Sequence, residues 1–404
     1  MLIFYIIRKE CLILQYTKFN LILLVFILCT LLVGCKTTPQ TTAKNEISNI
    51  LDVIDSSVFG DKPQIIPSNS IFTLSKKDQV QFFEYYNAQN HSDIPPHKRV
   101  YNYIENNLHA FNYYGETYTA QETINNNAGN CISLAILTTA YAKLANIKFG
   151  YSEVTTAPVY LKESNFQLIS NHVRTKLYDP TFVEYDKMVY FYKPGIIVDY
   201  FPSRNNWSSG IASYNQFISM YYRNLAAKAL LKNQFNKAGW LVIESLKFAP
   251  QSLSAINLLA VIYRNLNRYD LSEEVYLQGL KFSKDNLNLL TNYRLLLLKK
   301  NKFLEAELIQ EKIDSAKDPS PFRWLTLADE NYNNQQYYQA IKYYKKVIEI
   351  APYLHHGYAG TAKALHKLRK NSASKKFMEI ALEKTHEAKQ EKLYKAKLAI
   401  LQKY

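Results

Sequence analysis

The chain has 404 residues and a formal net charge of +15, from 49 lysines and arginines against 34 aspartates and glutamates. This length is sufficient for two or three domains. In a cytosolic protein so basic a chain would suggest nucleic acid as the partner. The N-terminus, however, indicates export. We therefore expect no nucleic-acid partner, and consider anionic lipid headgroups, surface polysaccharide or an acidic protein instead.

Residues 1–34 have the pattern of a secretory signal peptide. Basic residues precede an apolar run over residues 21–33, which is followed by Gly34 and Cys35. A bilayer span needs about 20 apolar residues, so this run is short for a membrane-spanning helix. Its end resembles the lipobox of bacterial lipoproteins. The resemblance implies cleavage before Cys35 and lipidation of that residue. Because Lys36 follows instead of aspartate, it also implies a cell-envelope protein anchored in the outer membrane and facing the periplasm. The alternative is an uncleaved N-terminal anchor.

This interpretation leaves one free thiol in the mature protein. Cys11 and Cys29 are removed with the signal peptide, and Cys35 is acylated, so Cys131 remains. Exported proteins normally pair their cysteines in disulfides. A single unpaired cysteine in that compartment is better explained by chemistry than by structural cross-linking.

The first part of the mature chain is predicted to be a polar tether followed by helices. Residues 35–74 are rich in Thr, Asn, Ser and Pro, which is typical of a flexible linker, with one short amphipathic piece predicted around residues 47–59. Apolar residues recur at helical spacing over residues 75–108, on both sides of a Pro-Pro pair. Residues 119–126 predict a short helix, with a threonine N-cap and a glutamate three residues later.

The most apolar helix is predicted to begin at Cys131. Asn130 is a good N-cap, and apolar residues then cover nearly every face of the helix as far as Ala145. A helix that is apolar all round is a buried helix. Unpaired N–H groups and the helix dipole favour a thiolate in the first turn, so Cys131 is a candidate nucleophile. The alternative is a structural cysteine, because free cysteines are commonly buried.

After residue 146 the apolar pattern changes from helical spacing to the alternation of strands. Strands are predicted over residues 147–155, 166–178, 188–192 and 195–201. One core helix followed by antiparallel strands predicts an α+β domain. His172 lies within the second of these strands, and Asp199 lies near the end of the last. A buried carboxylate needs a partner, and an imidazolium is a natural one.

Three segments, in this order, resemble the transglutaminase-like superfamily, the relatives of papain. They are Gly129-Asn130-Cys131, Asn171-His172-Val173 and Val198-Asp199-Tyr200-Phe201-Pro202. The match covers about residues 95–205, within a domain predicted over residues 75–210, and most resembles a bacterial branch in which tetratricopeptide repeats follow.

The resemblance implies a role for each residue of a Cys-His-Asp set. Cys131 is the nucleophile, His172 takes its proton, and Asp199 orients the imidazole. The backbone N–H of Cys131 would hold part of the oxyanion. No cofactor or metal is expected, since the sequence has no HExxH, paired CxxC or glycine-rich phosphate loop.

Alternatives remain for two members of this set. His172 could be an ordinary histidine of a sheet. Asp179, in an Asp-Pro-Thr sequence, is the rival of Asp199, but its position just after the same strand as His172 indicates a turn. Val173 follows the histidine where the family's animal enzymes carry tryptophan. The broader class of thiol acyl chemistry is therefore predicted, and not protein cross-linking in particular.

From residue 219 onward the sequence repeats itself. Small residues recur every 34 residues, at Ala238, Ser272, Ala306, Ala340 and Ser374. This period resembles the tetratricopeptide repeat (TPR), which has two antiparallel helices per unit. Five units are predicted over residues 219–389, and residues 390–404 are predicted to form a helix that caps the stack.

Together these patterns predict an exported, lipid-anchored cysteine enzyme that hydrolyses a peptide or amide bond or transfers its acyl group. Hydrolysis is favoured because water is the default acceptor. The concave repeat surface would dock a protein or peptide and deliver it to Cys131. Three alternatives remain: a spacer role for the repeats, a non-catalytic scaffold that keeps a transglutaminase-like module, and an envelope assembly factor that acts through residues 219–389 alone.

Overall fold

The structure is a computed structural model of the chain. The structure describes residues 49–108, 111–112, 116–155, 171–185, 188–190, 192–199, 207–385 and 388–401. The predicted signal peptide and Cys35 therefore lie outside the described residues. Within the described part, no helix is both long and apolar enough to span a bilayer.

The first half of the described chain combines helices with a sheet. Its helices are α1 (Lys76–Tyr86), α2 (Pro96–Asn107), α3 (Ala120–Asn126) and α4 (Cys131–Leu144). Its strands are β1 (Phe149–Thr155), β2 (Asn171–Tyr178), β3 (Gly195–Val198) and β4 (Trp207–Ala212). Helices and a small sheet in separate segments agree with the α+β prediction, while the papain-like topology in particular remains a prediction.

The sheet is antiparallel, with the strand order β3-β2-β1-β4. Tyr151 of β1 lies opposite Thr175 of β2, and its hydroxyl is 2.8 Å from Oγ1 of Thr139 in α4. On β2, Val173 and Leu177 alternate with partly exposed residues and are buried. This face of the sheet therefore packs on α4, which joins the thiol-bearing helix to the strand that carries His172.

The predicted helix starts are confirmed by their hydrogen bonds. Thr119 and Glu122 form a reciprocal capping box at the start of α3. The side chain of Asn130 accepts from the backbone N–H of Ser133 at 3.1 Å, so it caps α4. These two caps fix the chain direction immediately before Cys131.

Two strand predictions differ from the structure. Residues 188–190 and 192 form no strand, although their sequence alternates. Strand β4, over residues 207–212, pairs with β1 and was not predicted. Its sequence, Trp-Ser-Ser-Gly-Ile-Ala, has little apolar alternation, so its pairing depends on β1 and not on its own pattern.

The described part of the predicted tether is packed on the rest of the protein, which corrects the linker prediction for residues 49–74. Short 3₁₀ helices span Ile50–Val53 and Ser56–Phe59. The ring of Phe59 is fully buried and stacks on Tyr263 at 5.3 Å. The Tyr263 hydroxyl donates to the carbonyl of Asp55 at 2.9 Å. Isolated apolar residues in a polar sequence are therefore sufficient to fix this segment.

The second half of the described chain is a stack of helix pairs. The pairs are α5 (Tyr214–Leu231) with α6 (Phe235–Phe248), α7 (Leu253–Asn265) with α8 (Tyr269–Phe282), α9 (Leu287–Lys299) with α10 (Phe303–Ser315), α11 (Pro321–Asn333) with α12 (Tyr337–Ile350), and α13 (His355–Lys367) with α14 (Asn371–Lys384). Helix α15 (Ala388–Leu401) packs on α14, as expected of a cap.

The 34-residue period corresponds to a repeated geometry. The small residues of the period, Ala238, Ser272, Ala306, Ala340 and Ser374, are all buried. The turn inside each pair contains one residue with a positive φ, and these turn residues are Asn233, Asn267, Asn301, Gln335 and Arg369. Both series keep the same spacing, so each unit repeats the same close helix contact and the same turn.

The first helix of the stack also belongs to the core of the α+β region. Phe217 of α5 stacks on Tyr151 of β1 with 3.9 Å between ring centroids. One continuous hydrophobic core runs from Ile50 through the sheet into the solenoid. The solenoid is thus joined to the sheet by direct packing.

Candidate functional site

Cys131 lies in the first turn of α4, as predicted. It is a free cysteine and only 6% exposed. The neighbouring Ser133 hydroxyl accepts from the N–H of Tyr118 at 2.8 Å, which closes the turn before the helix. The thiol therefore lies at the start of a buried helix and beneath the surface of the protein.

Groups from two other elements surround the sulfur. The backbone N–H of Val173 in β2 donates toward it, and the guanidinium of Arg223 in α5 acts on it electrostatically; both favour the thiolate. Burial has the larger effect and raises the pKa of the Cys131 thiol above its ordinary value. Among the groups described, the helix start and the nearby cation lower the pKa of the thiol by less than burial raises it.

Arg223 is a site residue that the sequence analysis missed. It is partly buried, and burial lowers the pKa of its guanidinium, while Glu153 of β1 and Cys131 act in the opposite direction. Arginine is a strong donor to carboxylates and oxyanions. Within the helical pattern of α5 it resembles any surface cation, and only the packing of α5 on the sheet brings it to the thiol.

His172 is placed by its backbone alone. It lies in β2 opposite Val154, immediately before the residue whose N–H faces the Cys131 sulfur. Its side chain lies outside the described residues. The role of His172 as the base therefore stays a prediction.

Asp199 follows β3 and is paired with a cation. Its carboxylate accepts from the guanidinium of Arg174 at 2.7 Å, and both side chains are less than a quarter exposed. The ladder positions explain the contact: Thr175 lies opposite Val198, so the next residues along the antiparallel pair, Arg174 and Asp199, are neighbours. The predicted orienting carboxylate thus lies beside the strand that carries His172.

The rival carboxylate, Asp179, is part of a turn, in agreement with the prediction. Its Oδ1 accepts from the backbone N–H of Thr181 at 2.9 Å and from the Thr181 hydroxyl at 2.7 Å. These bonds lower the pKa of the carboxyl. Nδ1 of the buried His97 is 3.8 Å away. Asp179 lies at the end of β2 opposite to His172, so it is remote from Cys131.

The row of first helices in the solenoid begins beside the thiol. The position of Arg223 in the first unit is occupied by Asn257 in the second. Oδ1 of Asn257 accepts from Nδ2 of Asn292 in α9 at 3.1 Å, which links the first helices of neighbouring units. Arg264 adds a hydrogen bond to the carbonyl of Asn292 at 3.3 Å. The first helices of neighbouring units, starting with α5, therefore form a continuous row that carries amide and guanidinium groups. We call it the first-helix surface.

The tetratricopeptide repeat family model matches residues 253–286 and 323–353, in the second and fourth helix pairs. With the repeated helix pairs, this match shows that the C-terminal region is a tetratricopeptide solenoid. Such solenoids provide extended concave surfaces for binding proteins or peptides. No match was found among curated proteins.

Several solved structures are similar to part of the chain. PilF of Pseudomonas aeruginosa is 18% identical and covers 47% of this chain and 87% of its own, with a TM-score of 0.31. MamA from Desulfovibrio magneticus RS-1 is 14% identical, and the match covers 41% of this chain and 93% of MamA, with a TM-score of 0.26. YrrB, described as a TPR protein with an unusual peptide-binding site, is 12% identical. The match covers 42% of this chain and 88% of YrrB, with a TM-score of 0.26.

Proposed function

We propose that the protein binds a protein or peptide on the first-helix surface of its solenoid and acts on it with the Cys131 thiol. The chemistry would be thiol acyl chemistry of the transglutaminase-like kind, with His172 as base and Asp199 as the group that orients it. The proposal also includes export, lipidation at Cys35 and attachment to the periplasmic side of the outer membrane, all of which rest on the N-terminal sequence.

One observation carries the enzymatic part of the proposal. The sulfur of Cys131 is approached by β2 next to His172 and by Arg223 of the first solenoid helix. A bound peptide that leaves the solenoid at this end would therefore lie above the buried thiol, which would have to become accessible for the reaction.

The reaction follows from the residues in these roles. The imidazole of His172 would take the proton from the thiol, and the sulfur would attack the carbonyl carbon of an amide. The C–N bond breaks, the amine leaves with the proton from the imidazolium, and a thioester forms. Water then attacks the thioester to release a carboxylic acid and restore the thiol, or a second amine attacks it to form a new amide. The N–H of Cys131 and the Arg223 guanidinium could stabilise the oxyanion.

A second candidate function is a non-catalytic adaptor, and a specific observation favours it. Cys131 is 6% exposed and burial raises the pKa of its thiol, while Asp199 already has a cationic partner in Arg174. In this alternative the α+β domain is a binding module without catalytic activity. The solenoid would then carry the function alone.

Peptidyl vinyl sulfones of varied sequence test the proposal, because these electrophiles label an activated thiol that a peptide can reach. The folded full chain would be compared with Cys131→Ala and with Arg223→Met. Labelling at Cys131 that depends on peptide sequence is expected, and it should weaken in Arg223→Met. A thiol that no probe labels until the protein is unfolded would contradict the enzymatic proposal and favour the adaptor.

A further inference from the structure

The segment between β2 and β3 carries an unusual set of exposed apolar side chains. Its described residues, together with the adjoining strand β3, present six side chains that are each more than half exposed: Val183, Tyr185, Met188, Val189, Tyr192 and Ile197. We call this set the loop patch. Soluble surfaces scatter such residues singly, so a concentration in one short stretch indicates a contact surface.

The loop patch is held in place by internal contacts. The ring of Phe182 packs edge-on against Tyr190 at 5.2 Å, and the Tyr190 hydroxyl accepts from the backbone N–H of Tyr185 at 2.9 Å. These contacts hold Phe182 and Tyr190 together while the side chains of the loop patch are exposed.

A lysine lies against the aromatic part of the loop patch. The ammonium of Lys176 is 4.5 Å from the ring centroid of Tyr192 and 5.5 Å from that of Tyr178. Lys176 also lies opposite Ile197 in the β2–β3 ladder, so the cation shares one surface with Ile197 and Tyr192. Aromatic rings beside a lysine combine an apolar surface with a positive charge.

The carboxylate of Glu184, which lies in the same segment, is neutralised by two lysines. The two oxygens of Glu184 accept from Lys148 at 2.8 Å and from Lys193 at 2.5 Å. One carboxylate therefore faces two ammonium groups, and Lys176 adds a third cation. The surroundings of the loop patch favour an anionic partner, in keeping with the net charge of +15 for the whole chain.

We propose that the loop patch binds the surface of an anionic phospholipid bilayer. Tyr185 and Tyr192 have the amphipathic rings that lie at the headgroup level, while Met188 and Val189 would reach the acyl boundary. Lys176 would face the phosphates. The contact is peripheral and is made by a loop, so it needs no membrane-spanning helix.

The size of the loop patch favours lipid over a second copy of the chain. A stable protein interface uses about 20–30 residues on each side, many more than these six side chains. Binding at a membrane interface instead scales with the buried apolar area and with the attraction of cations to anionic lipids, and it needs no matching surface of that size.

Vesicle cosedimentation tests the proposal with the chain from residue 36 onward, which carries no acyl group and contains the whole compact unit Asn49–Tyr404. Vesicles of phosphatidylethanolamine with phosphatidylglycerol would be compared with zwitterionic vesicles. We expect binding to the anionic vesicles, a loss of at least about tenfold in the double variant Met188→Glu/Val189→Glu, and a loss of about fivefold in Lys176→Gln.

A matched control is available on the solenoid. Leu304 and Leu308 of α10 are also exposed, and the double variant Leu304→Glu/Leu308→Glu should bind vesicles as the wild type does. The proposal is overturned if wild type does not bind, if the loop variant binds equally well, or if the control loses as much. It is also overturned if wild type forms a dimer in sedimentation velocity that the loop variant does not form, since the patch would then be a protein interface.

Discussion

The guanidinium of Arg174 donates to the carboxylate of Asp199 at 2.7 Å. Arg174 lies two residues after His172 on strand β2. The partly buried carboxylate is therefore stabilised by a guanidinium, whichever part it plays toward the histidine. Residues two apart on a strand share a face, so Asp199 lies beside the part of β2 where the proposed base belongs. A structural and an orienting role for Asp199 can be separated by experiment.

Replacing Asp199 should change both stability and thiol chemistry. Asp199→Asn leaves the partly buried guanidinium of Arg174 without its charge partner, which should cost about 1–3 kcal/mol in urea unfolding. Arg174→Met should cost a similar amount, and the double variant less than the sum of the two. If Asp199 also orients His172, only Asp199→Asn shifts the pH profile of Cys131 alkylation. Equal profiles in both single variants would limit Asp199 to a structural role.

Arg223 should tune the reactivity of Cys131 from the solenoid side. Arg223→Met removes a cation that favours the thiolate, so iodoacetamide should react about three- to tenfold more slowly at neutral pH. Arg223→Lys should recover part of this rate because the charge is kept. Arg264→Met is the control, since Arg264 lies one unit farther along. A thiol that reacts equally fast in Arg223→Met would remove Arg223 from the site.

The packing of the N-terminal segment on the solenoid predicts a sensitive glycine. A Cβ added at Gly239 in α6 would overlap the buried ring of Phe59. Gly239→Ala should therefore destabilise the protein by about 1–3 kcal/mol, although alanine favours helix. Phe59→Leu should offset part of that loss in the double variant, and Lys237→Ala, exposed in the same helix, should change stability little. A neutral Gly239→Ala would mean that residues 49–59 do not pack as described.

His356 should make the C-terminal units sensitive to acid. Burial, with the charge of Lys363 and the ring of His355 stacked 4.0 Å away, lowers the pKa of His356 from 6.5 to about 3. The unfolded chain then binds a proton below about pH 6.5 that the folded chain does not bind. Stability attributable to His356 is present above pH 6.5 and is lost as the pH falls toward 3, by up to about 1.4 kcal/mol per pH unit.

Chemical unfolding at several pH values measures this dependence. His356→Gln should flatten the acid side of the stability curve relative to wild type. His366→Gln is the matched control, because His366 lies exposed at the other end of the same helix. Equal slopes in wild type and His356→Gln would show that His356 is not buried in its neutral form.

The repeats could be predicted from the sequence because the same local structure recurs. Each position of the helix pair is observed five times at a 34-residue spacing, so the pattern stands out from the variation of single residues. The turn residues, such as Asn233 and Asn267, follow the same spacing and give a second signal. Only their positive φ shows why Asn is favoured there.

The site could be predicted only in part. The cap at Asn130 and the start of α4 at Cys131 are local features, and they were predicted correctly. The approach of Arg223 to the thiol is a tertiary contact between helices far apart in sequence, which no local pattern reveals. Burial of the thiol, which raises its pKa, likewise depends on how α5 and β2 pack around α4.

The segment at residues 49–59 shows a third limit. Its polar composition predicted a linker, but Ile50 and Phe59 are each fully buried. A short amphipathic piece was predicted around residues 47–59, but two apolar side chains do not indicate which surface receives them. The pockets that receive them belong to α6, α7 and α8, so this packing can be recognised only from the folded solenoid.

The most direct test of the proposed function is the rate of Cys131 alkylation by iodoacetamide from about pH 4 to about pH 9, in wild type and in His172→Ala. An ordinary thiol titrates near pH 8.5, and burial raises the pKa further, so reactivity well below that value requires a cationic partner. We expect wild type to react at about pH 5–6 and His172→Ala to lose this reactivity. A slow or inaccessible thiol that is unchanged by His172→Ala would contradict thiol catalysis and leave partner binding by the repeats as the function.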